Sequence, residues 1–298
     1  MLVFRPVETG DLDQLVHLAT LADYGLTTLP TDRDYLEKKV LQSTQSFERS
    51  PDEPGGETYF FVAEDLESGQ VVGTSGIVSR VGGFEPFYMY EIKTVLHESS
   101  TLGVHKEIQV LHLVAEHDGP CEIGTLFLSP HYRRSGVGRF LSRSRFLFMA
   151  DYSQAFAEMV IAEMRGVSDA TGQSPFWEGL GRHFFDIDFP KADYLSILNK
   201  KFIAELMPTH PIYISLLPDK AQAVIGHVHE KTMPALKILE VEGFAFGRMV
   251  DIFDAGPIVR CPLAELKTVR ESVQAKVLEV AEGQGETDSF IITNGQWD

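Results

Sequence analysis

Apolar and polar positions alternate along the chain in a way that predicts strands and helices in turn. Short runs rich in β-branched and aromatic residues predict strands, and apolar residues recurring every three or four positions predict helices. The predicted strands cover residues 2–4, 58–65, 70–80, 88–96, 108–113, 121–128, 159–163, 202–206 and 244–253. The predicted helices cover residues 12–22, 32–41, 135–150, 192–198, 220–226, 233–242 and 264–273. This mixture predicts an α/β or α+β protein with a mixed sheet.

The pattern changes after Pro257, which predicts one domain over residues 1–257 and a small C-terminal segment over residues 258–298. Within the domain, residues 160–166 resemble residues 202–208, and residues 174–185 resemble residues 233–246. Common helix-stop chemistry explains such similarity. The alternative is two related half-units, with the second beginning near residue 160.

The charge balance excludes several classes of protein. The chain has 298 residues and a formal net charge of −17, which argues against a protein that coats duplex DNA. Two cysteines form no zinc-binding spacing and favour a reducing compartment. The apolar runs are too short to span a membrane, which takes about 20 residues. We therefore expect a soluble cytoplasmic protein with no metal, nucleic-acid partner or membrane partner.

One segment reverses the overall charge. Residues 131–150 contain five arginines and no acidic residue. The predicted strand 121–128 is followed by the loop Arg133-x-x-Gly136-x-Gly138 and then by the predicted helix 135–150. The glycines would let a ligand approach the backbone N–H groups closely, at the positive end of the helix dipole. The predicted anion-binding residues are Arg133, Arg134, Ser135, Gly136, Val137 and Gly138. A plain tight turn is an equal alternative, whereas a dinucleotide fingerprint fails because Leu141 replaces its third glycine.

This loop resembles the pyrophosphate loop of the GNAT N-acetyltransferase superfamily, R/Q-x-x-G-x-G/A after a strand. Further segments resemble the arginine N-succinyltransferase family, namely residues 125–128, 142–146, 162–166, 174–177, 202–208, 210–213, 224–229 and 251–257. The resemblance implies a GNAT-type acyl-CoA N-acyltransferase fold over residues 1–257, with a mostly antiparallel mixed sheet. The family's tail continues through a small β-rich unit, so residues 258–298 are expected to be β-rich and either a shortened or an incomplete version of that unit.

The resemblance also implies a reaction. It is succinyl transfer from succinyl-CoA to the α-amino group of L-arginine, giving N2-succinyl-L-arginine and CoA in arginine catabolism. Succinyl-CoA is then a co-substrate, with no permanently bound cofactor, and the chain forms a homo- or hetero-oligomer with a sister subunit. Leu126 would present a backbone N–H to the thioester carbonyl. His229 falls at the family's proton donor, with His227 the weaker candidate and a structural histidine the alternative.

Candidate residues for the two charged ends of the substrates are less specific. Glu163, or else Asp186 or Asp188, could bind the guanidinium, although Glu163 could instead form a structural ion pair with Arg165. Arg165 or Arg182 could bind the succinyl carboxylate. The alternatives for function are transfer to ornithine, another amine or a protein lysine, or a non-catalytic acyl-CoA-binding partner subunit.

Overall fold

The computed structural model describes residues 1–22, 26–49, 51–83, 85–134, 136–198, 200–276 and 290–295. The strands are β1 (Leu2–Pro6), β2 (Thr58–Asp65), β3 (Gln70–Val78), β4 (Phe87–Ser99), β5 (Val104–Glu116), β6 (Cys121–Leu128), β7 (Met159–Glu163), β8 (Ile212–Tyr213), β9 (Ala245–Val250) and β10 (Pro257–Pro262). The helices are α1 (Leu12–Thr20), α2 (Arg33–Phe47), α3 (Val137–Asp151), α4 (Pro175–Gly179), α5 (Arg182–Phe185), α6 (Phe189–Leu198), α7 (Lys201–Leu206), α8 (Asp219–Gln222), α9 (Met233–Glu242) and α10 (Lys267–Glu271).

All ten of these strands belong to one sheet, in the order β1-β2-β3-β6-β7-β10-β9-β4-β5-β8. Neighbouring strands are antiparallel except β6 and β7, which are parallel. The mixed, mostly antiparallel sheet expected of an acyl-CoA N-acyltransferase fold is therefore confirmed. The single parallel pair lies near the middle of the sheet, where it positions the functional site.

Helices cover both faces of the sheet, as the alternation along β2 shows. Tyr59 and Phe61 pack in a core that includes Phe146 of α3 and Leu239 of α9. Phe60 and Val62 point the other way, into a core formed with α1 and α2. Because both faces of β2 are covered, its central residues form one continuous buried run rather than an alternating pattern.

A further core covers the β4–β5 part of the sheet and contains the indole of Trp177, which is fully buried. Its Nε1 donates to the Ile187 carbonyl at 2.9 Å, so the polar edge of the ring is satisfied inside apolar surroundings. Tyr194 of α6 donates its hydroxyl proton to Asp32 Oδ2 at 3.0 Å. The helices of this region therefore reach the start of α2, at the edge of the functional site.

Several sequence predictions are wrong at the level of single elements. Residues 202–206 form part of helix α7, not a strand. Residues 160–166 and 202–208, compared above as an internal repeat, thus belong to a strand and a helix respectively. The hairpin of β4 and β5 is also longer than predicted, since each strand has 13 residues.

The chain beyond the predicted boundary at Pro257 takes part in the sheet, because β10 pairs with both β7 and β9. After β10, the described residues contain a 3-10 turn at Leu263–Glu265 and the short helix α10, with no further strand. A division of the chain into a domain and a C-terminal segment stays a prediction. Among the described residues, no helix is long and apolar enough to cross a membrane.

Candidate active site

A cleft opens where β6 and β7 part. The two strands pair only at their beginnings, where Cys121 lies beside Val160 and Glu122 beside Ile161. Beyond these pairs, residues of both strands line a cleft of about 840 Å³. The last residues of β6 therefore have β3 on one side and the cleft on the other.

Side-chain alternation makes the cleft accessible from both faces of the sheet. On β6, Cys121 and Ile123 pack in the core with α3, so Glu122 between them points to the α2 face. On β7, Val160 and Ala162 pack in that same core, as does Met164 just after the strand, so Glu163 also points away from it. Thr27 and Thr28 line the cleft on the α2 side, and residues of α9 such as Pro234 and Ile238 line it on the α3 side. Two ligands could thus enter from opposite faces and meet between the strands.

The predicted anion-binding loop lies at the α3 side of the cleft. Gly136 caps α3 with a φ of 88°, a left-handed conformation that favours glycine. A Cβ at Gly138 would meet no atom within 4 Å, so packing does not require glycine there, and the space is open to a ligand. Arg133 donates from Nε to the Leu128 carbonyl at 3.0 Å, which braces the loop, and Arg134 also lines the cleft. Ser135 lies outside the described residues.

A β-bulge interrupts β6 beside this loop. Gly124 and Phe127 oppose Gly76 and Thr74 of β3, which leaves Thr125 and Leu126 to share one opposing residue. Thr125 has a φ of 52°, which is strained for a β-branched residue. Its carbonyl accepts from Thr74 Oγ1 at 2.8 Å, and its hydroxyl accepts from Lys39 Nζ at 2.9 Å. The bulge therefore turns the backbone at Leu126, a cleft-lining residue, out of the regular hydrogen-bond ladder.

The α2 side of the cleft is acidic. Glu122, Glu163, Asp193 and Asp251 line it. Glu163 is exposed to solvent within the cleft. Partial desolvation by the surrounding protein, and then repulsion from Glu122 and Asp251, raises the pKa of Glu163 well above its usual range. Burial and then repulsion from Asp251 raise the pKa of Asp193 to about 7. Such clustered carboxyl groups favour a cationic ligand.

A tight turn between β9 and β10 holds the end of β7 in place. Asp254 accepts from Gly166 N at 2.7 Å with Oδ2 and from Gly256 N at 2.8 Å with Oδ1. A Cβ at Gly166 would lie 2.5 Å from the Asp254 carbonyl oxygen, so only glycine fits at this contact. Asp251 Oδ1 accepts from Phe253 N at 2.7 Å and from Asp254 N at 2.8 Å. Asp254 is thus a structural residue that positions the segment following Glu163.

His229 lies beside that segment. Its backbone N–H donates to the Arg165 carbonyl at 2.9 Å, and its Nδ1 accepts from Lys231 N at 3.2 Å. Because Nδ1 is the acceptor, Nε2 carries the proton of the neutral ring. Burial and the nearby positive charge of Arg165 lower the pKa of His229. Lys231 and Thr232 line the cleft, whereas half-buried His229, two residues before Lys231, is not among the lining residues, and His227 is exposed to solvent.

Comparison with known proteins shows which family the chain belongs to. A model of the family described as arginine N-succinyltransferase beta subunit matches residues 2–268. The chain belongs to the arginine N-succinyltransferase family. The arginine N-succinyltransferase of Enterobacter sp. (strain 638) is 45% identical over 303 residues, which covers 100% of this chain and 87% of that protein. The Yersinia enterocolitica protein of that name is 46% identical over 279 residues, which covers 93% of this chain and 81% of that protein.

A solved structure agrees with the family assignment. The arginine/ornithine succinyltransferase subunit AI from Pseudomonas aeruginosa superposes with a TM-score of 0.84 and 38% identity, covering 91% of this chain and 79% of that one. This family is one of acyltransferases that use an acyl-CoA co-substrate. The resemblance stated from the sequence is therefore confirmed as a family membership.

Not every residue predicted from the arginine N-succinyltransferase resemblance lies at the cleft. Leu126, Arg133, Arg134, Gly138, Glu163 and Arg165 line it. Arg182 forms ion pairs with Asp188 and Glu178 and is not among the residues that line the cleft, so the structure does not bring it to this site. Asp186 is an exposed residue at the end of α5, so neither it nor Asp188 belongs to the acidic side. Sequence reasoning assigned no role to six other charged residues that line the cleft, namely Glu122, Arg145, Asp193, Lys231, Asp251 and Asp254. Of these, only Arg145, Asp251 and Asp254 lie in segments that the family resemblance had singled out.

Proposed function

We propose that this chain transfers the succinyl group of succinyl-CoA to the α-amino group of L-arginine, giving N2-succinyl-L-arginine and CoA. The observation that supports this reaction best is the polarity of the cleft across the sheet. Arg134, Arg145 and Lys231 line its α3 side, and Glu122, Glu163, Asp193 and Asp251 line its α2 side. An anionic donor and a cationic acceptor would therefore approach from opposite faces and meet in the gap between β6 and β7.

The acyl donor lies on the α3 side. The first N–H groups of a helix have no partner within the helix, so the start of α3 offers them to the pyrophosphate of CoA. Gly138 leaves room for close approach of the phosphate oxygens, and Arg134 adds positive charge. At the bulge, the Leu126 N–H donates to the thioester carbonyl as negative charge develops on its oxygen.

The acceptor lies on the α2 side. A guanidinium has five N–H donors in a planar fork that matches carboxylate oxygens, and the α-ammonium adds a second cation. Binding of the guanidinium and the α-ammonium would relieve the repulsion between carboxylates that, in addition to desolvation, raises the pKa values of Glu163 and Asp193. The shorter cation of ornithine could use these carboxylates too, so the acceptor preference is a matter for measurement.

The proton balance assigns a role to His229. The α-ammonium loses one proton before attack, and a carboxylate of the acidic side accepts it. The new C–N bond forms, the C–S bond breaks, and the nitrogen loses its second proton as the amide forms. One of these two protons reaches the CoA thiolate through His229, and the other leaves to solvent. Because its lowered pKa keeps the ring neutral at pH 7, His229 takes up a proton before it donates one.

Thiol release with a panel of acceptors tests this function. The protein is mixed with succinyl-CoA and, separately, arginine, ornithine, lysine or glutamate, and free CoA thiol is followed with time. Release with arginine and not with lysine or glutamate supports the proposal. Faster release with ornithine than with arginine would reassign the acceptor. Binding of succinyl-CoA without release for any acceptor would instead indicate a non-catalytic partner subunit.

We also propose that the chain works as an oligomer, with a second copy or with a sister subunit. The matching family model and the solved relative are both described as subunits. The far end of the β4–β5 hairpin exposes Leu96, Leu102 and Val104, apolar side chains that a partner could cover. Sedimentation of a monomer at micromolar concentration, alone and with a co-expressed sister subunit, would contradict this assembly. The cytoplasmic location stays a prediction.

A further inference from the structure

The closed end of the cleft contains a buried arginine that the proposed function leaves unexplained. Arg145 of α3 is 2% exposed and lines the cleft. Its Nη2 donates to Ser142 Oγ at 3.2 Å. Its Nε is buried and has no hydrogen-bond partner among the described residues. A guanidinium has five N–H donors, and among the described residues only the Ser142 hydroxyl is recorded as an acceptor for Arg145.

The nearby anionic residue does not compensate for this cation. Glu242 is the carboxylate that attracts Arg145, but its Oε2 accepts from Thr268 N at 2.9 Å and from Thr268 Oγ1 at 2.7 Å. Its Oε1 lies 2.9 Å from Nε of Arg143. Burial lowers the pKa of Arg145 to about 9, which leaves the group charged at pH 7. A buried charge with unsatisfied donors is costly, so its position beside a cleft points to an anionic ligand.

The position along the strands indicates which anion this is. Arg145 lies eight residues into α3, about 12 Å from the helix start that binds pyrophosphate. On β6 its electrostatic neighbour is Cys121, which pairs with Val160 at the closed end of the gap. The thioester carbonyl is placed at Leu126, farther along β6 where the strands have parted. An acyl chain that extends from there toward the closed end runs in the direction of Arg145, which lines the same cleft.

We propose that Arg145 binds the terminal carboxylate of the acyl group and thereby selects succinyl-CoA over donors with an uncharged acyl chain. This inference rests on the proposed function for the identity of the donor. Arg165, the earlier sequence candidate for this carboxylate, follows β7 and donates from Nη2 to Ser168 Oγ at 2.9 Å. Arg145 is the better candidate because its side chain is buried at the closed end of the cleft, whereas Arg165 is only half-buried.

The test compares succinyl-CoA with butyryl-CoA, in which a methyl group replaces the carboxylate. Removing one partner of a buried charged pair has large effects on binding. In R145M we therefore expect the ratio of kcat/KM for succinyl-CoA to kcat/KM for butyryl-CoA to fall at least about 100-fold. R143M is the matched control, because Arg143 lies on the same helix and contacts the same Glu242 but is not a cleft-lining residue. R143M should leave this ratio unchanged even if it lowers the stability of the protein.

A non-hydrolysable thioether analogue of each donor separates this inference from the proposed function. Calorimetric binding of the succinyl analogue should weaken in R145M while binding of the butyl analogue does not, even if the wild type fails to acylate arginine. An unchanged preference in R145M overturns the inference. If R145M does not fold, R145K is used, since it keeps the charge and loses the planar fork. A crystal structure of the wild type with the succinyl analogue decides the same question, because a carboxylate farther than about 4 Å from the Arg145 guanidinium would refute it.

Discussion

Glu163→Gln is the change that tests the acidic side of the cleft most sharply. The amide keeps the shape of the side chain at the end of β7 but removes its negative charge. Glu163 is repelled by Glu122, Asp251 and Asp254, so a substituted protein has less internal repulsion before any ligand binds. We therefore expect the melting temperature of ligand-free E163Q to be unchanged or higher than that of the wild type.

The expected loss appears in the use of arginine. A hydrogen bond to a charged group is worth about 1.5–3 kcal/mol, and about 1.4 kcal/mol corresponds to a factor of ten. We thus predict that kcat/KM for arginine falls roughly 10- to 100-fold in E163Q. The KM for succinyl-CoA should stay within about twofold, because the donor lies on the opposite side of the sheet.

Steady-state thiol release gives these constants, with each substrate varied in turn. D186N is the matched control, since it makes the same chemical change at an exposed position where Asn also tolerates the local φ of 51°. Unchanged kcat/KM for arginine in E163Q would refute a cation-binding role for Glu163. A lower melting temperature with equal losses for both substrates would show instead that Glu163 is structural.

Four further predictions follow from individual contacts. G138A should raise the KM for succinyl-CoA at least about tenfold without lowering the melting temperature, because alanine favours a helix and its Cβ meets only ligand space. The kcat/KM for arginine should increase as the pH rises through about 7, where Asp193 ionises, and D193N should abolish that increase in a pH profile. H229A should lower kcat about 100- to 10,000-fold, whereas H227A stays within about twofold, in the same thiol assay. D254A leaves two buried N–H groups unpaired and should lower the free energy of unfolding by about 2–6 kcal/mol in urea titrations.

Much of the sheet could be predicted from the sequence because its strands have clear boundaries. Residues 58–65 and 121–128 form strands as predicted, each as a compact run rich in apolar residues. The run at residues 202–206 failed because Phe202 and Ile203 favour strands locally, yet the chain there packs as helix α7 and buries Ile203. The tip of the β4–β5 hairpin, residues 97–99 and 104–107, was missed because its side chains are mostly exposed on both faces and show no alternation.

The candidate site also has a part that could be predicted from the sequence and a part that could not. The predicted anion-binding loop is local in sequence, so its glycines and arginines could be proposed from their spacing together with the family resemblance. The acidic side is not local, because Glu122, Asp193 and Asp251 lie far apart in the sequence, on or beside β6, α6 and β9, and meet only in the folded chain. Arg145 resembled any basic residue on a helix until the structure showed that it is buried beside the cleft.

Product analysis tests the proposed succinyl transfer most directly. The protein is incubated with succinyl-CoA and arginine, and the products are identified by mass spectrometry and by NMR of the modified nitrogen. The proposed reaction should give N2-succinyl-L-arginine and free CoA in equal amounts. Free CoA with unmodified arginine, or succinyl on the guanidino group, would contradict it.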